Sequence, residues 1–180
     1  MKSEFGNHRD IFECRRSGVS AEVLRGMIVA ASPELLLVRM LENGWFFDGY
    51  TIVRVGDITE YRFFNDRDSI ENKVRKLMDY TAAPPEFRID LSSMSGVARS
   101  LFAAGKLFSI EKERSCKGVM WLGKIRRLTS NTMLLSELDS EAQWSHDHRH
   151  VLSAITKICF DSAYIRFYEK LSEKLASADR

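Results

Sequence analysis

The chain of 180 residues is poor in cysteine and proline, and it contains no long apolar run. Its three cysteines, Cys14, Cys116 and Cys159, are widely spaced and form no CxxC pair. This spacing argues against a disulfide framework and a structural zinc site, so we expect free, buried thiols. No stretch of about 18 apolar residues is present, so no membrane-spanning helix is predicted. The polar residues 1–10 do not resemble a signal peptide, and we expect a cytoplasmic protein, bacterial in origin.

The chain also lacks an excess of one charge, with 27 Lys and Arg against 25 Asp and Glu. A strongly basic chain would have indicated nucleic acid, whereas this balance neither requires nor excludes it. Serine-hydrolase, zinc-protease, phosphate-loop and dinucleotide motifs are missing, as are Asp-rich metal loops. The sequence therefore predicts a protein that is not an enzyme and has no cofactor, with a hydrolytic or metal enzyme as the least favoured alternative.

An internal repeat is the most informative feature that is present. Residues 24–64 can be placed over residues 121–161 with a shift of 97. Apolar and turn positions then coincide, and a local shift of two further residues would also align Trp45 with Trp144. Such self-similarity predicts two copies of one supersecondary unit. The main matches are Gly26 with Gly123, Ile28 with Ile125, Leu37 with Leu134, Leu41 with Leu138, and Phe63 with Phe160.

Each copy reads as five short strands separated by tight turns, which favours a small closed barrel. Ser32-Pro33-Glu34 and Glu42-Asn43-Gly44 are turn signals in the first copy. The predicted strands are 11–16, 22–31, 35–41, 47–55 and 58–64, followed by 106–113, 118–128, 133–138, 147–153 and 155–160.

Three amphipathic helices accompany the strands. One begins at Asp68 or Ser69, one runs from Ser92 or Ser93 to Gly105, and one begins at Asp161 or Ser162. We expect the apolar stripe of the first (Ile70, Val74, Leu77) to dock on its own barrel, as we do that of the last (Tyr164, Phe167, Tyr168, Leu171, Leu175). The predicted division is a first unit at 1–80, a linker at 81–91 and a second unit at 92–180.

A short helix followed by five bent strands resembles the Sm-like fold, which is related to SH3-like barrels. Gly26-Met27-Ile28 and Gly123-Lys124-Ile125 open long second strands, and residues 35–41 and 133–138 form apolar third strands, as in uncharacterised bacterial Sm-like proteins. The resemblance implies assembly into rings and binding of single-stranded RNA in the pore. The turns between strands four and five, Val55-Gly56-Asp57 and Ser153-Ala154, lack the basic residue that such RNA binding uses.

Three histidines, His146, His148 and His150, alternate along a predicted strand and would share one face. Imidazoles can bind zinc or copper, but same-face neighbours lie about 7 Å apart and do not converge on one ion. A solvent-exposed strand is the preferred interpretation, with a metal site as the alternative.

Two groups of residues could form a binding surface. The aromatics Trp45 and Tyr50 could stack on a ligand, although packing within or between the barrels is preferred. Asn43 could hydrogen-bond a base. The basic residues could instead form a phosphate-binding stripe, but nearby glutamates favour a mixed, solvated face. The basic candidates are Arg25, Lys124, Arg126 and Arg127.

The preferred function is therefore a binding or assembly module. Its partner would be an unknown protein or a second copy of the chain. An RNA-binding protein of the Sm-like type is the alternative. Neither a membrane nor DNA is indicated as a partner.

Overall fold

The structure is a computed structural model that describes residues 5, 9–43 and 45–178. The fold is mostly β, and its ten strands form one antiparallel sheet that does not close on itself. The sequence predicted two closed barrels, and only the β-rich character and the strand content of that prediction are shown. The strands are β1 (Ile11–Arg16), β2 (Ser20–Ala31), β3 (Leu35–Glu42), β4 (Phe46–Arg54), β5 (Glu60–Phe63), β6 (Phe108–Glu111), β7 (Met120–Leu128), β8 (Thr132–Leu138), β9 (Trp144–Val151) and β10 (Lys157–Phe160).

The strand order repeats within the sheet. The order is β5-β1-β2-β3-β4-β10-β6-β7-β8-β9, so β6–β10 repeat the order of β1–β5. We call β1–β5 the N-terminal unit and β6–β10 the C-terminal unit. The two units follow each other head to tail, because β4, the fourth strand of the N-terminal unit, pairs with β10, the fifth strand of the C-terminal unit. The repeat detected in the sequence is thus present in the topology.

The shift of 97 also holds for the fine geometry. The register slips between Ile28 and Ala30 in β2, and it slips again between Ile125 and Arg127 in β7. The predicted local shift of two residues is wrong: Trp144 pairs with Leu138, as Phe47 does with Leu41, so Trp144 corresponds to Phe47.

Two glycines are required where β2 and β7 pass very close to the neighbouring strands. A Cβ atom at Gly26 would lie 2.2 Å from the carbonyl oxygen of Arg39, and one at Gly123 would lie 2.3 Å from that of Ser136. No side chain fits at such a distance. The matched glycines therefore share one physical cause, close approach of backbone.

The predicted strands agree with the structure except near their ends. Residues Val55–Asp57 and Leu152–Ala154 form short 3-10 turns in place of strand ends, because Ile58 and Ile155 donate hydrogen bonds back to Val55 and Leu152. Strand β9 begins at Trp144, earlier than expected, and therefore contains all three histidines. The turn residue Gly44 lies outside the described residues.

The helices are α1 (Ile70–Leu77), α2 (Met94–Ala104) and α3 (Ala163–Ala178). Ser69 and Ser93 cap α1 and α2 through their hydroxyl groups, as predicted, and Gly105 ends α2 with a φ of 62°. Helix α2 packs in the largest apolar cluster, which joins the two units. That cluster combines Val97 and Leu101 of α2, Phe108, Ile110, Ile158 and Phe160 of the C-terminal unit, and Leu35, Leu37 and Ile52 of the N-terminal unit.

Helix α1 does not dock as the sequence predicted. Ile70 and Leu77 are 56% and 83% exposed, whereas Asn72 is 4% exposed. The polar face faces the sheet because it finds charged partners there: Glu71 lies 3.8 Å from Arg25. The expectation that the apolar stripe of α1 covers the barrel is therefore wrong for Ile70 and Leu77, while Val74 is half-buried. In α3, by contrast, Tyr168, Leu171 and Leu175 pack on the sheet as expected, while Tyr164 and Phe167 remain half exposed.

Candidate functional site

The two units meet through β4 and β10, and we call this contact the central joint. Residues 50–53 pair with residues 157–160 in antiparallel register. Ile52 lies opposite Ile158, and both are fully buried. Tyr50 stacks on Phe160 with ring centroids 5.2 Å apart. The central joint is thus a continuous sheet with an apolar interior.

Gly49 permits the close approach of the two units. Its φ is 70°, and a Cβ atom there would lie 2.5 Å from the backbone nitrogen of Ser162. Asp48, the preceding residue, accepts a hydrogen bond from the backbone of Ala163 at the start of α3. Strand β4 therefore also fixes the helix of the other unit.

Buried ions pair across one end of the central joint. The guanidinium of Arg16 is fully buried and contacts the carboxylate of Glu113 at 2.6 Å and 2.9 Å. Thr156 donates to the same carboxylate at 2.7 Å. Burial acts to raise the pKa of Glu113, but the hydrogen bonds from Arg16 and Thr156 outweigh it, and the pKa lies below its usual value. Glu113 is therefore held ionised inside the protein.

A second buried cation lies on β10. Lys157 contacts Glu22 of the N-terminal unit at 2.6 Å and Glu111 at 2.8 Å. These partners keep its pKa raised although burial opposes the charge. An open groove of about 750 Å³ between the units is lined by these same carboxylates. Each of the three carboxylates that line the groove, Glu22, Glu111 and Glu113, contacts a buried cation.

The sheet ends at β5 on one side and at β9 on the other. These strands are the counterparts of the two that form the central joint: β9 corresponds to β4, and β10 corresponds to β5. Edge strands present backbone N–H and C=O groups that can pair with another chain. The two end strands, β9 and β5, are therefore of the same two types as the strands that pair in the central joint.

Two of the three predicted histidines come together on β9. Glu137 of β8 contacts His148 Nδ1 at 3.0 Å through one carboxylate oxygen and His150 Nε2 at 3.0 Å through the other. His148 is largely exposed, while His150 is buried against Trp121. Burial lowers the pKa of His150 despite the nearby carboxylate. His146 is exposed and does not join this cluster.

The predicted surface residues do not form one site. Arg25 pairs with Glu13 and lies over Phe64, so it has a structural role in the N-terminal unit. Lys124 pairs with Glu169 of α3. Tyr50 belongs to the central joint, which agrees with the preferred packing interpretation. Asn43 is an exposed turn residue with a φ of 49°, and Trp45 accepts a hydrogen bond from Tyr80 through its backbone.

A small group of arginines remains uncompensated. In the described part of the chain, Arg126, Arg127 and Arg149 have no carboxylate within 4.0 Å, unlike Arg16 or Arg25. Arg127 and Arg149 both lie opposite Leu134, one on each side of it. They therefore share a face of the C-terminal unit near the β9 end of the sheet.

Sequence reasoning missed the central joint and the role of Arg16. Arg16 lies between Glu13 and Glu22 in the sequence, and this local pattern is typical of a solvated, compensated charge. The partner that buries Arg16 is Glu113, which is 97 residues away. The motif itself carries no signal of this pairing, since it depends on which strand ends meet.

Comparisons of the chain with protein-family models, with curated proteins and with solved structures found no match. Across residues 5, 9–43 and 45–178, no group of three or more His, Cys, Asp or Glu side chains is arranged to hold a metal ion. Within the same residues, no helix is long and apolar enough to cross a membrane.

Proposed function

We propose that this chain is a non-catalytic assembly module, built from two Sm-like units, that associates with further copies of itself in the cytoplasm. The observation that carries the proposal is the central joint. In it the N-terminal unit binds the C-terminal unit through β4 and β10, while the corresponding strands β9 and β5 lie at the two ends of the sheet.

The geometry of this contact is head to tail. A contact between two different surfaces of the same unit can be repeated without limit, which produces a closed ring or a filament. In the chain, the contact is made once, between the two units. Repeating it between chains would pair β9 of one copy with β5 of the next. Rings are also what the resemblance to Sm-like proteins implies.

The central joint supplies the expected register. Thr51 lies opposite Cys159, and their hydroxyl and thiol are 3.3 Å apart. With the shift of 97, the position that corresponds to Thr51 in the C-terminal unit is His148, and the position that corresponds to Cys159 in the N-terminal unit is Arg62. We therefore expect His148 of one copy to face Arg62 of the next.

A cysteine cross-link tests this register. In a Cys116→Ser background, the double variant Arg62→Cys/His148→Cys should form a ladder of disulfide-linked multimers on mild oxidation. Directly opposite residues in antiparallel strands have Cβ atoms about 4.5–5.5 Å apart, close to the spacing that a disulfide spans. Non-reducing electrophoresis reads the result.

The matched control places one cysteine out of register. Glu60→Cys/His148→Cys keeps both thiols on the same edges but moves one by two residues, and it should cross-link far less. Each single variant can form a dimer at most. Equal ladders from both double variants, or a monomeric wild-type chain in sedimentation at every concentration tested, would contradict the proposal.

RNA binding is the second candidate, and the uncompensated Arg126, Arg127 and Arg149 favour it. A positive face near the sheet edge could contact phosphates. Filter binding with generic single-stranded RNA at two salt concentrations tests it. Affinity that falls steeply with salt and is lost in Arg127→Gln/Arg149→Gln would support RNA binding. Absent or salt-independent binding would leave assembly as the function.

A further inference from the structure

The two edges that would join separate chains differ chemically from those of the central joint. Resting on the proposed self-association, we propose that pairing between copies is a reversible contact that protonation of His148 on β9 weakens. The contact inside the chain has no such histidine and stays closed.

The first observation is the replacement of apolar by ionisable residues. Val53, Ile52 and Thr51 of β4 are buried in the central joint. Their counterparts on β9 are His150, Arg149 and His148, two of which are exposed. Charged residues on a strand edge oppose permanent pairing. An edge of this kind therefore suits an equilibrium better than a fixed junction.

The second observation is the loss of contacts that charged side chains make across the central joint. Arg54 donates to the backbone oxygens of Leu152 and Ile155 across the central joint. At the counterpart of Arg54 the chain has Val151, which is 48% exposed. Asp57, which pairs with Arg114, has Ala154 as its counterpart. A contact between copies would lack these hydrogen bonds and this ion pair, and it would be weaker.

The third observation concerns Glu22, which joins the units through Lys157. Its counterpart is Val119, 43% exposed, and the counterpart of Lys157 is Glu60. The cation–carboxylate contact of the central joint has therefore no equivalent between copies.

The groups around His148 set the direction of the pH effect. Within its own chain, His148 faces Glu137 of β8 and lies beside His150, which lies near Lys112 across Trp121. From the next copy it would face Arg62, flanked by Glu60. Histidine gains its charge between about pH 8 and pH 5.

Acidification would therefore place an imidazolium opposite the Arg62 guanidinium. Glu137 contacts His148 itself, and Glu13 already pairs with Arg62 at 2.8 Å, so no further carboxylate of these pairs lies between the two cations. Like charges directly opposite each other on paired strands are destabilising, and we expect the association to be about fivefold weaker.

Sedimentation velocity on the intact chain at about pH 8 and about pH 5.5 tests the proposal. The wild-type dissociation constant should rise about fivefold at the lower pH. Circular dichroism at each pH shows that the chain stays folded. His148→Thr, which installs the residue found at position 51, should associate tightly and equally at both values. His148→Lys should associate weakly at both.

The matched control is His146→Ser, which removes an exposed imidazole from the same strand and should keep the wild-type pH dependence. Wild-type association that is equal at both pH values would overturn this inference and leave the proposed assembly intact. So would pH dependence that persists in His148→Thr. Absence of association at every pH would overturn both.

Discussion

At the scale of single residues, two glycines allow neighbouring strands of the sheet to approach closely. Gly26 and Gly123 allow β2 and β7 to pass within van der Waals contact of the neighbouring carbonyl groups. Neither glycine has a positive φ, so glycine is required there because a side chain has no room, and the backbone conformation does not demand it. Their recurrence with the same partner atoms explains why the pair stood out in the sequence.

We expect Gly26→Ala and Gly123→Ala to destabilise the chain by about 1–3 kcal/mol each, because the added methyl group must displace a backbone strand. Urea denaturation measures the change. Gly56→Ala is the matched control, since a Cβ atom there meets nothing within 4 Å, and it should alter stability by at most about 0.5 kcal/mol. Equal losses of stability in all three variants would show that replacing any glycine lowers the stability, and that the close approach of backbone is not the cause.

The prediction that the cysteines are free, buried thiols agrees with the structure in part. All three are free, and burial raises the pKa of Cys14 to about 12. Cys159 is partly covered and contacts Thr51, and Cys116 is also partly exposed. Cys14 is the thiol that agrees fully with the prediction of free, buried thiols.

At the scale of elements, α1 and α3 follow equivalent strands but pack differently. The sheet-facing side of α3 is apolar and contacts Leu107, Leu122 and Leu138. The sheet-facing side of α1 is polar, with Asn72 donating to the backbone of Asp66 and accepting from Arg75. An apolar stripe on a helix predicts burial only if the facing surface is apolar as well.

For α1 we expect Leu77→Gln to change stability by at most about 0.5 kcal/mol, because this side chain is in solvent. Asn72→Ala should cost about 1–3 kcal/mol, because it leaves buried polar groups without partners. Thermal or urea unfolding of both variants measures the difference. A large loss in Leu77→Gln together with a tolerated Asn72→Ala would mean that the helix docks by its apolar stripe.

At the scale of the whole molecule, the central joint makes two similar units into one body. Its centre is apolar, and one end is held by the buried pair of Arg16 and Glu113. Breaking one partner of a buried ion pair leaves an uncompensated charge inside the protein. The pair therefore matters more for the specificity of the contact than as a net source of stability.

Arg16→Met alone should lower the free energy of unfolding by about 3–5 kcal/mol, whereas Arg16→Met/Glu113→Leu should recover much of that loss. The pKa of Glu113 is lowered in the folded chain. Its stabilisation is therefore present at neutral pH and is lost as the pH falls through the acidic range. Urea titrations at neutral and acidic pH should show a weaker acid dependence in Glu113→Gln than in the wild type. An unchanged dependence would contradict this assignment.

The sequence by itself determined the repeating elements. Alternating and continuous apolar runs, turn residues and helix caps are local signals, so the ten strands, the three helices and the matched glycines could be predicted from neighbouring residues. The tertiary structure alone decided that β4 pairs with β10, that Arg16 is buried against Glu113, and that α1 exposes Ile70 and Leu77. Each of these depends on surfaces brought together from distant parts of the chain, and burial is a property of the pair of surfaces that meet.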